Sequence, residues 1–232
     1  MIEENYREVA KKAAAAAERA GRDPKDITLI AVSKTKPLSD IEKLIRIGVT
    51  EFGENKPQEL KEKADHVSAP VHFHQIGHLQ TNKVKDVVGR SVLIHSVDSM
   101  HLAEAIEKEA AKKEIVMPVL IEVNAAGEET KFGVAPGETA ELVRSVSRLP
   151  HVRVKGLMTI APFVDDPEEN REVFRIMKQL LLDIKLQSID NVDMEILSMG
   201  MTNDYEVAIE EGATMIRVGT AIFGARDYGS SH

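Results

Sequence analysis

Two lysines stand where an apolar run stops. Lys34 and Lys36 follow Leu29-Ile30-Ala31-Val32 and Ser33, so a strand over Ile27 to Ser33 would carry both ammonium groups to its C-terminal end. Burial and a neighbouring like charge both favour the neutral amine of a lysine, the form that condenses with a carbonyl to give a Schiff base. The alternative is a pair of rim lysines whose stems lie along apolar surface with their heads in water. Near the other end of the chain, Met215 to Val218 reads as a strand followed by Gly219-Thr220 and a short helical stretch. A turn of that kind offers unpaired backbone N–H groups and a positive dipole end, which suit an anion such as a phosphate. Ser198, after another apolar run, could add a hydroxyl donor. The plainer alternative is a glycine turn with a serine cap.

The elements that would position these residues alternate along almost the whole chain. Strand candidates are Ile27 to Ser33, Glu51 to Gly53, Val71 to Gly77, Val92 to Val97, Pro118 to Asn124, Val152 to Ile160, Met194 to Ser198 and Met215 to Val218. Helical patterns lie between them, with starts at Ser39-Asp40-Ile41-Glu42, which reads as a capping box, and at Asp166-Pro167-Glu168-Glu169, which has proline at the first helical position. Gly48, Gly89 and Gly212 fall where helical patterns stop. Eight such strands suit a single (β/α)8 TIM barrel better than an open doubly wound sheet, since no G-x-G-x-x-G follows the first strand. A long alanine-rich helix over Glu3 to Ala20 precedes the first strand and is expected to complete the outer ring. The domain is expected to span 1–228, leaving Gly229 to His232 as tag or tail.

In a parallel barrel every strand end opens on one face, and chemistry is expected there. The first and eighth strands become neighbours on closure. A lysine able to hold an aldehyde on one and an anion cradle after the other describe a site for pyridoxal 5′-phosphate (PLP), with Arg217 placed to meet the ring nitrogen.

Six ordered segments support that reading. They are Ala31-Val32-Ser33-Lys34-Thr35-Lys36-Pro37, Phe52-Gly53-Glu54-Asn55, Ile76-Gly77-His78-Leu79-Gln80-Thr81-Asn82-Lys83, Gly156-Leu157-Met158-Thr159, Leu197-Ser198-Met199-Gly200-Met201 and Ile216 to Gly224. From Ile27 to Tyr228 the chain resembles the YggS family of pyridoxal phosphate homeostasis proteins. The resemblance implies a single-domain barrel like the N-terminal domain of alanine racemase, of fold type III, with PLP held as an aldimine on Lys34. It implies a phosphate site at Ser198, Gly219 and Thr220, a ring-nitrogen arginine at Arg217, and Asn55 facing the ring edge. It further implies a role in balancing and supplying vitamin B6 forms, with PLP-dependent apo-enzymes as recipients and without an established turnover.

The residues themselves argue against a racemase, which is the alternative function. A two-base racemase of this class needs a second acid or base opposite the lysine, which the related racemase takes as a tyrosine from a further β-domain. The tyrosines here are Tyr6, Tyr205 and Tyr228, none at a strand end, and a decarboxylase of this class would want a cysteine where the chain has Cys 0. An arginine at the ring nitrogen also weakens the cofactor as an electron sink. Lys36 is open to three readings, a second base, a temporary acceptor of the aldehyde and, preferred here, a charge that tunes Lys34 electrostatically. A third reading, a cofactor-free Schiff-base aldolase using Lys34, is open to test by colour.

Composition removes other classes. The 232 residues carry 30 Lys+Arg against 38 Asp+Glu, a net charge of −8 with no segregated basic patch, so nucleic acid is an unfavourable partner. With Cys 0, disulfides and zinc ribbons are excluded. No apolar run could span a bilayer, and Met-Ile-Glu-Glu-Asn has neither part of a signal peptide, so a cytoplasmic address is expected. No heptad or exposed apolar repeat demands a dimer, and a monomer is expected. His72 and His74 alternate on one strand face with His78 beyond; lacking a carboxylate at definite spacing, they read as core or rim histidines and not as metal ligands. Met158, Met199 and Met201 are candidates to wall the site or to fill gaps.

Overall fold

The computed structural model describes residues 1–224; Tyr228, the expected domain end, and Gly229 to His232 lie outside the described residues. Eight parallel strands close into a barrel in chain order: β1 (Thr28–Val32), β2 (Glu51–Glu54), β3 (His72–Gln75), β4 (Ser91–Val97), β5 (Met117–Glu122), β6 (Val152–Met158), β7 (Val192–Ser198) and β8 (Met215–Val218). All eight candidate strands are present. The helices are α1 (Ile2–Arg19), α2 (Leu38–Arg46), α3 (Pro57–His66), α4 (Val84–Val87), α5 (Met100–Lys112), α6 (Pro136–Val146), α7 (Arg171–Lys185), α8 (Tyr205–Glu210) and α9 (Thr220–Phe223). None of them is long and apolar enough to cross a membrane.

Among the described residues β8 is followed by a single helical turn, α9, too short to cover the barrel wall. Helix α1 covers it, lying against α8, α9 and α2. Its sequence explains the fit, since Val9, Ala13, Ala16 and Ala17 recur on one helical face and are all buried, and alanine allows close approach at no loss of helix propensity. The extra helix therefore completes the ring as expected.

Local signals held in part. Gly48, Gly89 and Gly212 adopt φ of 87°, 83° and 110° just past α2, α4 and α8, the left-handed conformation that ends a helix at little cost only for glycine. Asp166 caps the 3-10 turn that leads into α7, accepting from Glu168 N–H at 3.0 Å, with Pro167 at its first position. Ser39 does not cap α2. The helix begins at Leu38 with Pro37 extended at φ −70° as its N-cap and no side-chain cap bond, which puts Ser39 inside the first turn, and Asp40 pairs with Lys43 at 2.8 Å.

Most of the core lies between the outer barrel face and the helices, around Phe52, Leu60, Ile106 and Phe174. A separate small cluster, Leu93, Leu120 and Met158, comes from β4, β5 and β6. It shares the interior with buried polar side chains: His74, His95, Glu122, Ser198 and Arg217.

Candidate functional site

A pocket of about 420 Å³ opens at the C-terminal ends of the strands. Its wall is made from residues just past β1 (Lys34, Thr35, Lys36), β2 (Asn55), β7 (Met201, Thr202, Asn203, Asp204) and β8 (Gly219, Thr220), with Arg217 beneath them. A second groove, about 460 Å³ and bordered by α1 and α8, contains none of the six candidate residues.

The turn carrying Lys34 is held from below. Ser33 Oγ donates to Glu54 Oε1 at 2.6 Å, and Lys63 Nζ from α3 donates to the same carboxylate oxygen at 2.6 Å and to the Ser33 carbonyl at 2.7 Å. Thr35 sits at φ 63°, an unfavourable value for a branched residue, and its N–H donates to Glu59 Oε2 at 2.7 Å. Burial pushes the Glu54 carboxyl above its ordinary range, against the pull of Lys63 and Ser33. Lys36 Nζ reaches the Phe223 carbonyl at 3.3 Å, tying the first loop to the last.

Asn55 is fixed by backbone contact. A Cβ at Gly77 would lie 2.5 Å from the Asn55 carbonyl, so only glycine lets the β3 loop approach, and Gln75 Nε2 donates to that carbonyl at 2.8 Å. The Asn55 side chain borders the pocket with its Oδ1 buried and without a partner.

Arg217 is 3% exposed and points inward from β8. Its Nη1 donates to Ser198 Oγ at 2.6 Å and its Nη2 to the Thr159 carbonyl at 2.9 Å. Burial lowers its pKa to about 10, opposed by Glu122 and Asp204, so the guanidinium stays charged at neutral pH. Glu122, at the end of β5, is pushed up to about 7 by burial and then by Asp98, with Arg217 pulling the other way.

Ser198 departs from its expected place. It is fully buried, does not border the pocket, and its hydroxyl is engaged by Arg217 and by His95 Nδ1 at 2.9 Å. The ladder explains why: Ser198 pairs with Met215, two residues below Arg217 and four below Gly219. The hydroxyl that does border the pocket beside α9 is Thr202, whose Oγ1 accepts from Ala221 N–H at 3.4 Å. The loop bearing it is shaped by Asp204, which accepts from Met201 N–H at 2.8 Å and from Asn170 Nδ2 at 2.9 Å. The other five candidates, Lys34, Asn55, Arg217, Gly219 and Thr220, come together around one cavity.

Of the three methionines, Met201 alone borders the pocket; Met158 and Met199 are buried in core clusters. His74 is a core histidine, and His72 and His78 are exposed on the rims. The carboxylate that spacing did not reveal is Glu51, opposite His72 in the β2–β3 ladder, 2.6 Å from His72 Nδ1 and 2.8 Å from His74 Nε2. Among the described residues no group of three side chains is arranged to hold a metal ion.

The family profile described as the alanine racemase N-terminal domain matches residues 2–227. The chain belongs to that family. A pyridoxal phosphate homeostasis protein of Aquifex aeolicus is 48% identical over 92% of this chain and 93% of its own length, which places the chain among the pyridoxal phosphate homeostasis proteins within it. Among solved structures, a protein of Bifidobacterium adolescentis matches with a TM-score of 0.90 at 38% identity, covering 96% of this chain and 94% of that one. PipY of Synechococcus elongatus, solved with PLP bound, matches with a TM-score of 0.80 at 32% identity, covering 92% of this chain and all (100%) of its own.

Proposed function

We propose that this chain binds PLP at the barrel mouth and serves to hold and supply it, without turning over a substrate. The observation that carries the reading is the convergence of an amine, a glycine-opened turn and a buried guanidinium on one cavity, by way of the neighbouring strands β1 and β8, where Ala31 pairs with Val218. The residues fit the cofactor. The cavity, about 420 Å³, is of the size that small-molecule sites occupy, and the buried Asn55 Oδ1 lacks the partner a bound ligand could give. The printed name of the Aquifex relative and the PLP found in PipY point to the same ligand.

PLP supplies an aldehyde that condenses with a primary amine and a pyridine ring that withdraws electrons. Lys34 offers the amine, on a turn that Lys63, Glu54 and Glu59 hold rigid. Gly219 and Thr220 offer backbone N–H groups at the first turn of α9, and Thr202 a hydroxyl beside them, as the phosphate cradle. Asn55 borders the ring. A guanidinium has donors and no acceptor, so Arg217 facing a pyridine nitrogen holds that nitrogen without a proton of its own. Ser198 enters this reading through Arg217, which it positions.

The absence of turnover rests on the acids and bases bordering the pocket. Among the described residues these are Lys34, Lys36, Asp204 and Arg217. Asp204 is committed to Met201 and Asn170, Lys36 stands on the same loop as Lys34 with its ammonium on the Phe223 carbonyl, Tyr6 lies in α1 and Tyr205 opens α8. A second base facing Lys34 across a substrate is what racemisation requires. In this reading the protein acts in the cytoplasm as a monomer and passes PLP to apo-enzymes.

The test is borohydride reduction of the protein with PLP, followed by peptide mass mapping. The reduced adduct is expected on Lys34 alone; adduct scattered over surface lysines overturns the site. Solvent deuterium appearing at the α-carbon of any amino acid in a broad panel overturns the claim of no turnover.

A further inference from the structure

Behind Arg217 a file of polar side chains crosses the barrel. Ser198 Oγ lies 2.9 Å from His95 Nδ1, His95 Nε2 lies 3.0 Å from His74 Nδ1, and His74 Nε2 lies 2.8 Å from Glu51 Oε2. Glu51 Oε1 is 2.6 Å from Nδ1 of His72, which is exposed at the start of β3, on the rim opposite the pocket. The link from β4 to β7 joins strands that are not neighbours, so it runs through the interior. Interior barrel layers are ordinarily filled by apolar side chains, as Leu93, Leu120 and Met158 do here. Two histidines amid them cost desolvation that only complete hydrogen bonding offsets.

With one proton on each ring, donor and acceptor chemistry leaves one order in which every hydrogen of the file has an acceptor. Arg217 can only donate, so Ser198 Oγ accepts from it, and the serine hydrogen turns to His95 Nδ1. Burial, then His74 and Arg217, push the His95 pKa well below its ordinary value, so the ring is neutral. Its one hydrogen is therefore on Nε2 and donates to His74 Nδ1. At the far end burial pushes Glu51 up, but the bonds from His74 and His72 outweigh it and hold the carboxyl at about 2. That carboxylate accepts from His74 Nε2. Every bond then points one way, from Arg217 to Glu51, and bonds aligned head to tail strengthen one another.

We propose that His95, backed by His74 and anchored on Glu51, is a positioning residue for Arg217: the one-way file fixes where the guanidinium stands and how strongly it donates into the pocket. The order of protons stands on the chain alone; the effect on a ligand rests on the reading of the pocket as a PLP site. Other charged groups facing Arg217 are Glu122 from β5 and Asp204 from the β7 loop, neither within a direct ion pair of it among the described residues.

Nitrogen-15 NMR of the histidine rings in the whole chain, with and without PLP, reads the file directly. His95 is expected to carry its proton on Nε2 alone throughout the neutral range, facing His74 Nδ1. A proton on His95 Nδ1, or on both its nitrogens, overturns the proposal. Two variants then separate positioning from bulk. His95→Phe removes both nitrogens at similar size and is expected to speed PLP release about tenfold and shift the absorption band of bound PLP. His95→Gln restores an acceptor toward Ser198 and a donor toward His74, and is expected to return both readouts toward wild type even if melting temperature falls. Wild-type band and release rate in His95→Phe overturn the proposal. Should that variant fail to fold, Glu51→Gln, remote from the pocket, is expected to shift the band in the same sense, and no shift overturns it. If the wild-type chain takes up no PLP, the proposed function fails while the NMR result still decides the file.

Discussion

Replacing Lys63 by methionine removes the ammonium that ties the Lys34 turn to Glu54. The pair is buried, with side-chain exposures of 7% and 0%, and both its bonds near Ser33 are short, 2.6 Å to Glu54 Oε1 and 2.7 Å to the Ser33 carbonyl. Breaking such a pair from one side costs about 3–5 kcal/mol, because the remaining charge is left in a medium that solvates it poorly. For a chain of this size that is a fall of roughly 10 °C in melting temperature. Burial already raises the Glu54 carboxyl above its ordinary 4.5. Without Lys63 it rises further, and a carboxyl raised in the folded state stabilises the fold while protonated and loses that contribution as pH rises through its folded value. The cost of Lys63→Met should therefore be small in acid and grow toward neutral pH. Adding Glu54→Gln, which removes the charge and keeps an acceptor for Ser33, should recover about 2 kcal/mol. Urea unfolding of the two variants across pH measures all three quantities. A loss below about 1 kcal/mol, or one independent of pH, would refute the clamp.

Glu122→Gln should flatten the pH dependence of stability. A carboxyl displaced from 4.5 to about 7 supports the fold fully below 4.5 and loses that support as pH rises through 7, so above this interval the variant should be more stable by at most about 3 kcal/mol, read from urea midpoints on either side. Gly156→Ala should cost more than about 4 kcal/mol, since its Cβ would lie 1.8 Å from the Ile196 carbonyl at φ 154°, where β6 pairs with β7. A cooperative melt within a few degrees of wild type would contradict that contact.

The barrel was legible because strands buried on both faces read as short continuous apolar runs, and because glycines stop the helices between them. Ends were less legible. The third strand is shorter than Val71 to Gly77, since at Gly77 the chain turns onto the Asn55 backbone and leaves the ladder; the sixth stops at Met158, as Thr159 Oγ1 donates at 2.7 Å to the Val123 carbonyl. Site residues followed the same division. Lys34, Gly219 and Thr220 stand just past their strands, where any parallel barrel opens, so sequence order alone carries them to the mouth. Ser198 also ends a strand, but the strands of a closed barrel are staggered, and the end of one is not level with the end of the next. Pairing with Met215 sets Ser198 four residues below Gly219, and only that register separates a hydroxyl at the pocket wall from one beneath Arg217. His95 escaped notice for a related reason. Its partners lie on β3 and β7, and a histidine in an apolar run acquires meaning only when closure brings the far strand within hydrogen-bond reach. Lys63 was hidden because its helix places it outside the barrel, while its ammonium reaches inward beneath β1. Local pattern thus identifies what stands at the mouth, and the groups that orient it become visible only with the register of the closed sheet.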